Sequence, residues 1–269
     1  MNQNQLNHSM GKLKYQRIFK MNTSIFSSGL PKAQSICIIH KIAKVQAGPN
    51  QICPKCASED LNKSKVDHQR EVDMMVFEKH LSGAMIPVRH AQSEFLNYKV
   101  QLQGQATALQ ACITFTQKII ADGKSNFIMV GSTGTGKTHL ACGTAKTLLK
   151  KGLYVRYITS EELAQRIMNA WDKDTKDQSE EAIIYEFAQY DLLIIDEYGL
   201  HDRDKRMELV HKVLTKRYDC KKPTMLVSNF TLKKLQNDLG DRLWSRFQHD
   251  GLAVVECNWG DSRVNEGMV

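Results

Sequence analysis

Eight consecutive residues, Gly131-Ser132-Thr133-Gly134-Thr135-Gly136-Lys137-Thr138, spell G-x-x-x-x-G-K-T. Glycines in this pattern let successive backbone N–H groups turn toward one point and cradle phosphate oxygens. A helix N-terminus directly after them adds unsatisfied donors and partial positive charge. Lys137 is placed to reach β- and γ-phosphates and the Thr138 hydroxyl to ligate Mg²⁺, with His139 next in line. Downstream, Asp191-Leu-Leu-Ile-Ile-Asp196-Glu197 sets two carboxylates at the end of an apolar run. Asp196 suits Mg²⁺, which keeps much of its water shell, and Glu197 suits the polarisation of an attacking water. Asn229 closes Pro223-Thr-Met-Leu-Val-Ser-Asn229 and can reach a γ-phosphate or its water. Arg242 and Arg246 stand four apart, on one helix face, and arginine is the residue for bidentate phosphate contact. The plain alternatives are solvated acids, a turn-forming asparagine and a basic surface face; the phosphate loop upstream favours the chemical reading of the acids.

A second constellation lies nearer the N-terminus. Cys37-Ile-Ile-His40 and Cys53-Pro-Lys-Cys56 make C-x2-H-x12-C-x2-C. Two chelating pairs can close a tetrahedron around Zn²⁺, and four protein ligands leave no open position, so the site would be structural. Gly48 and Pro49 between them favour a turn. A segment this short buries too little apolar surface to fold alone, which gives a metal clip a purpose. The alternatives are a redox C-x-x-C, or a buried strand through Cys37-Ile-Ile-His40; His68 is a substitute for His40 as fourth ligand.

These residues need elements to position them. Asn126-Phe-Ile-Met-Val130 reads as a buried parallel strand ahead of the phosphate loop, and His139–Lys150 as the helix after it. Leu153–Ile158 alternates as a strand. Thr159-Ser-Glu-Glu162 has capping-box spacing and opens a helix to about Trp171. A charged loop over 172–181, a short helix ending near Gln189, the strand before Asp196, a helix over Asp204–Tyr218, and strands at 223–229 and 252–256 complete an alternating α/β order. Upstream, the pattern predicts a helix near Leu13–Phe19, a linker over 64–81 passing into a helix, a boundary near 82–90, and a helix from about Gln105 to Ile120. Phe95 and Tyr98 either stack on an adenine or fill the core.

Composition bounds the rest. The 269 residues suffice for one large domain with a small companion. A net charge of +8 favours an acidic partner such as nucleic acid or simple solubility; Lys146, Lys150 and Lys151 are candidate DNA contacts. Seven cysteines, an odd number in a chain of this length, point to a reducing compartment. No run approaches the roughly 20 apolar residues that span a bilayer, and the basic N-terminus lacks an apolar core for export. The expectation is the cytoplasm.

GSTGTGKTHLA, DLLIIDEYG, LVSN, LGDRLWSRF and a closing NW…SRV resemble the DnaC-type helicase loaders of bacteria and phages, AAA+ ATPases close to the IstB transposition helpers and the DnaA initiators. The resemblance covers roughly residues 88–265, with Phe95-x-Asn97-Tyr98 leading into it. It implies an α/β AAA+ P-loop parallel sheet flanked by helices; the small zinc-binding and helical segment before it rests on the cysteine and histidine spacing more than on the resemblance. The expected divisions are a flexible 1–30, a helicase-interacting 31–87 and an ATPase domain over 88–269. It implies Lys137 and Thr138 as Walker A residues, Asp196 and Glu197 as Walker B acids, Asn229 as sensor I, Arg246 or Arg242 as an arginine finger for a neighbouring subunit, and Arg263 as sensor II. It implies ATP and Mg²⁺ as cofactors, slow partner-stimulated hydrolysis, and partners that are a hexameric replicative helicase, single-stranded DNA and further copies in a ring or spiral. The rival readings are an IstB-like helper acting on duplex DNA and a nucleotide-switched scaffold that scarcely hydrolyses.

Overall fold

In the computed structural model, which describes residues 29–171, 179–200 and 204–261, the apolar run before the phosphate loop is strand β4, Asn126–Gly131. It is the fourth strand because three short ones precede it: β1 (Lys32–Ile36), β2 (Ala43–Ala47) and β3 (Asn50–Ile52). These form an antiparallel meander in the order β1-β2-β3. The chain divides into two units, residues 1–72 and 73–269. The expected helix near Leu13–Phe19 and residue Arg263 lie outside the described residues.

Helix α1 spans Pro54–Ala84 without interruption, so the linker expected over 64–81 is helical instead. Proline occupies its first position, where a missing N–H costs nothing, and no Gly or Pro occurs again until Gly83. Ala84 is the one buried residue of this helix. Helix α2 covers Gln103–Ile120. It starts before the expected Gln105 because Gln105 serves the cap: its Oε1 accepts the N–H of Gln101 at 2.7 Å and of Leu102 at 2.9 Å.

The second unit is built on a five-stranded sheet in the order β5-β6-β7-β4-β8, where β5 is Val155–Thr159, β6 Leu192–Asp196, β7 Thr224–Val227 and β8 Leu252–Cys257. Every pairing in it is parallel. Alternation along β4 divides the core into two layers. Phe127 and Met129 face α2 and α3 (Lys137–Leu149), against Cys112, Phe115, Leu140 and Leu148. Ile128 and Val130 face the other side. That side is covered by α4 (Ser160–Asn169), α5 (Glu180–Gln189), α6 (Asp204–Asp219) and α7 (Leu232–His249). Both faces are buried, which is why the strands read as continuous apolar runs. The expected capping box is present: Thr159 Oγ1 accepts the Glu162 N–H at 3.2 Å and Glu162 accepts the Thr159 N–H at 3.1 Å.

Arg217 of α6 is fully buried. Its guanidinium donates to the carbonyls of Phe187 (2.6 Å), Tyr190 (3.1 Å) and Pro223, and to Thr224 Oγ1 at 3.0 Å. It thus ties the end of α5 to the start of β7, satisfying carbonyls that no ladder reaches. Arg217→Leu is expected to cost about 3–5 kcal/mol of stability, since it strips a charged donor from several buried acceptors at once; the midpoint of urea unfolding checks this.

Candidate functional site

The phosphate loop sits at the C-terminal end of β4, the end at which open parallel sheets receive ligands. Gly131 and Gly134 adopt φ of 128° and 77°, and Gly136 at 88° leads into α3. Lys137 Nζ donates to the carbonyls of Gly131 (2.8 Å) and Ser132 (2.6 Å), and Thr135 Oγ1 donates to the Ser132 carbonyl at 2.9 Å. Thr133, Gly134 and Thr135 complete the crown of the loop between Ser132 and Gly136.

Asp196 arrives from the end of β6, two strands away in the sheet. Thr138 Oγ1 donates to Asp196 Oδ2 at 2.8 Å, joining the two motifs across β7. Tyr157 of β5 donates to the same oxygen at 2.7 Å, and the Glu197 N–H donates to Asp196 Oδ1 at 2.7 Å. Sequence reasoning missed Tyr157, because alternation within β5 says nothing about a carboxylate on β6.

Strand alternation also fails to orient Glu197. The strand ends at Asp196 and Glu197 has φ of 54°, a left-handed conformation unusual for a side chain of this size. Its carbonyl accepts from Ser160 Oγ at 3.1 Å, and the next residue's N–H donates to Val227 O at 3.0 Å. These bonds over-determine the backbone at a place where strain is otherwise costly. The Glu197 side chain is exposed. Two residues on, Gly199 (φ 83°) has no room for a side chain, since a Cβ there would meet the Phe230 ring at 2.3 Å.

Asn229 is exposed just beyond β7, and the preceding Ser228 N–H donates to Met129 O at 2.9 Å, so it stands beside the strand that carries the loop. His139 turns away from the crown of the loop: its Nε2 lies 2.9 Å from Glu94 O and 3.0 Å from Asn97 Oδ1. Phe95 and Tyr98 both pack against the core layer of α2 and α3, and the Tyr98 hydroxyl donates to Thr135 O at 3.4 Å. Lys146 is no surface cation. It is buried, and its Nζ donates to His90 O at 3.1 Å and to Ala91 O. Lys150 pairs with Glu94 at 2.8 Å.

The arginine pair divides. Helix α7 kinks at Gly240 (φ 68°), ahead of both. Arg242 is exposed, whereas Arg246 is half-buried with its guanidinium 5.0 Å from the Tyr218 ring centroid. Arg246 lines a small cleft with Asn126, at the N-terminal end of β4. The phosphate loop is at the other end of that strand, about 17 Å away by strand rise, so Arg246 is out of reach of its own chain's loop.

A family described as IstB-like ATP binding protein matches residues 57–253. The chain belongs to this family. It is 30% identical to the replicative helicase loader DnaC of Escherichia coli strain K12 over 200 residues, covering 72% of this chain and 79% of DnaC. It is 30% identical to the protein YdaV of the same strain over 189 residues, covering 70% of this chain and 75% of YdaV. A crystal structure of the DnaC helicase loader shares the fold at a TM-score of 0.56 and 24% identity, over 64% of this chain and 99% of that one. This IstB-like protein therefore carries an AAA+ ATPase domain of the DnaC type. Among the described residues no helix is long and apolar enough to cross a membrane.

The family match begins after the cysteine–histidine cluster, which rests on its own geometry. The ligand atoms of Cys37, His40, Cys53 and Cys56 all lie within 4.8 Å of one another. The first pair sits in the turn between β1 and β2, where Lys41 takes φ of 56°. The second pair brackets the first turn of α1. His40 Nδ1 faces the sulfurs of Cys37 (3.8 Å), Cys53 (3.7 Å) and Cys56 (3.3 Å), and its Nε2 meets Glu59 Oε1 at 2.9 Å. A carboxylate on the far nitrogen is the usual partner of a metal-bound imidazole, and Glu59 was not visible in the spacing. The His40 N–H directed at its sulfur pulls the Cys37 thiol down to about 6, while burial and the neighbouring sulfurs push Cys56 up to about 12. Three converging thiols without a central cation resist shared ionisation; a dication removes that penalty. The donor set fits zinc, and His68 is not part of it.

One further contact touches the ATP-binding loop of this family member. A Cβ on Gly134 would lie 1.8 Å from Asp261 Oδ1, so a carboxylate rests on the crown of the phosphate cradle. Beside it Trp259 Nε1 donates to Thr135 O at 3.0 Å. Asp261→Ala is expected to tighten binding of a nucleoside triphosphate by about 1 kcal/mol, a few-fold, by removing a partly screened like charge; calorimetric titration of both proteins checks it.

Proposed function

We propose that this chain is an ATP-dependent loader that binds a hexameric replicative DNA helicase and delivers it onto single-stranded DNA. The observation that carries the reading is the 30% identity to DnaC across 79% of that loader, joined to a phosphate loop and acid whose Thr138–Asp196 contact is in place. Residues Gly131 to Thr138 bind the ATP phosphates, with Lys137 on the β- and γ-phosphates. Thr138 and Asp196 would hold Mg²⁺, which would supply the charge that neutralises the phosphates. Glu197 accepts a proton from the attacking water and Asn229 orients that water or the γ-phosphate. Arg263 is assigned the sensor II role by its place in the closing NW…SRV motif.

The position of Arg246 supports self-assembly. An arginine that cannot reach its own loop serves catalysis by entering a neighbour's, with Arg242 beside it. Nucleotide turnover then depends on how copies stack in a ring or spiral, and hydrolysis is slow until partners order that stack. The net charge of +8 favours a nucleic-acid strand as ligand. The first unit, its turn fixed by zinc on Cys37, His40, Cys53 and Cys56, engages the helicase in the cytoplasm. The family description alone favours the second reading, an IstB-like helper on duplex DNA; affinity for duplex over single strands, with no helicase co-elution, would replace the first. A turnover unaffected by helicase and DNA would point to a nucleotide-switched scaffold.

Lys137→Ala is expected to weaken ATP binding by about two orders of magnitude, since it removes the charge that meets two phosphates. Arg246→Ala is expected to leave binding intact and slow hydrolysis in the loader–helicase assembly about 10³-fold; equal single-turnover rates for Arg246→Ala and the parent would remove the finger assignment. The purified protein is expected to hold one zinc per chain by elemental analysis. Cys53→Ser should lose the metal and the protease resistance of the N-terminal unit while ATP binding persists.

A further inference from the structure

The Asp196 carboxylate carries more hydrogen bonds than the two motifs require. Besides Thr138, the Tyr157 hydroxyl reaches Oδ2 at 2.7 Å, and Oδ1 takes the Glu197 N–H at 2.7 Å. Tyr157 and Asp196 are 5% and 3% exposed, so water contributes little to either. The register explains the meeting: Tyr157 pairs with Ile194 and Thr159 with Asp196. Tyr157 and Asp196 are thus diagonal neighbours on the face of the sheet toward α3, a separation that a phenol spans and an aliphatic side chain does not.

An ionised carboxylate offers about four acceptor sites. Three are filled by Tyr157, Thr138 and the Glu197 N–H. The remaining site is on Oδ1, and rotation about the carboxylate axis would break all three bonds. Thr138 has a second duty, because a lone pair of its hydroxyl oxygen would face a metal while its O–H donates to Asp196. The Tyr157 phenol holds the same Oδ2 from β5, independently of Thr138.

We propose that Tyr157 is a positioning residue of the magnesium site, fixing the orientation of the Asp196 carboxylate that, with Thr138, would hold the ion. The inference rests on the nucleotide reading given above for Lys137, Thr138 and Asp196. It makes the phenol a determinant of how strongly nucleotide affinity depends on magnesium, separate from affinity for the phosphates themselves.

The test uses the full-length chain and Tyr157→Phe, which removes one oxygen and keeps the ring. Affinity for ADP and ATP is measured in EDTA and across a magnesium titration, and Mn²⁺ bound with nucleotide is followed by electron paramagnetic resonance. The expected result is an EDTA affinity within twofold of the parent, a magnesium midpoint raised about tenfold, and a matching loss of bound Mn²⁺. In an Asp196→Asn background the same change should add little. A lowered melting temperature with an unmoved magnesium midpoint would mean that the hydroxyl only stabilises the fold, and overturns the proposal. If Tyr157→Phe does not fold, 3-fluorotyrosine at position 157, a stronger donor of the same shape, is expected to lower the midpoint about twofold; no movement overturns the proposal as surely. A Lys137→Ala control that binds nucleotide as well as the parent would instead defeat the underlying site reading.

Discussion

The hydrogen bond from Thr138 to Asp196 is the constraint on which the nucleotide site depends. It joins residues from β6 and from the start of α3, with β7 lying between their strands. For those two side chains to meet, three strand ends must be level. Their levelling is set by registers through Ile194, Met225 and Phe127, where β6, β7 and β4 align. The two apolar layers enforce this, because a one-residue slip would move every core side chain of a strand to the other face. Packing far below the site thus determines a distance of 2.8 Å at its top.

The same logic explains the backbone of Glu197. A left-handed residue after a buried strand is unfavourable on its own. It persists because its N–H, its carbonyl and the following N–H each have a partner on a different element: Asp196, Ser160 and Val227. Ser160 opens α4 and Val227 ends β7. Glu197, the acid next to Asp196, therefore takes its direction from three neighbours, and so does the turn that Gly199 completes under Phe230.

The N-terminal unit follows another principle. Its β1-β2-β3 meander buries little: Cys37, Val45 and Cys53 are its buried apolar residues among those described. A core this small supplies only a fraction of what ordering the chain costs. Convergence of Cys37, His40, Cys53 and Cys56 gives this unit a donor set that could bind zinc, and Glu59 meets the imidazole from behind. The two units of the chain thus reach order by different means, hydrophobic layering in one and a donor cluster in the other.

What the residues alone determined was everything with a short-range cause. Glycine spacing marked the phosphate loop, cysteine and histidine spacing marked the cluster, Thr159 and Glu162 marked a helix start, and apolar runs marked β4 and β6, all within a residue or two of their observed bounds. The linker expected over 64–81 was a local miss, since no Gly or Pro interrupts that helix before Gly83, but the misses at the site share a long-range cause. Lys146 looked like a surface cation until α3 was seen to press it onto the turn at His90. Tyr157, Glu59 and Asp261 gave no signal, since each acts on a partner distant in sequence: Asp196, His40 and Gly134. Arg246 was visible as a type but not as a place, and only the fold put it at the far end of β4 from the loop. Local spacing dictates which groups a chain carries, because turns, caps and chelating pairs close over a few bonds. Which groups meet is decided by strand order and register, and those are properties of the packed sheet that no single stretch of sequence contains.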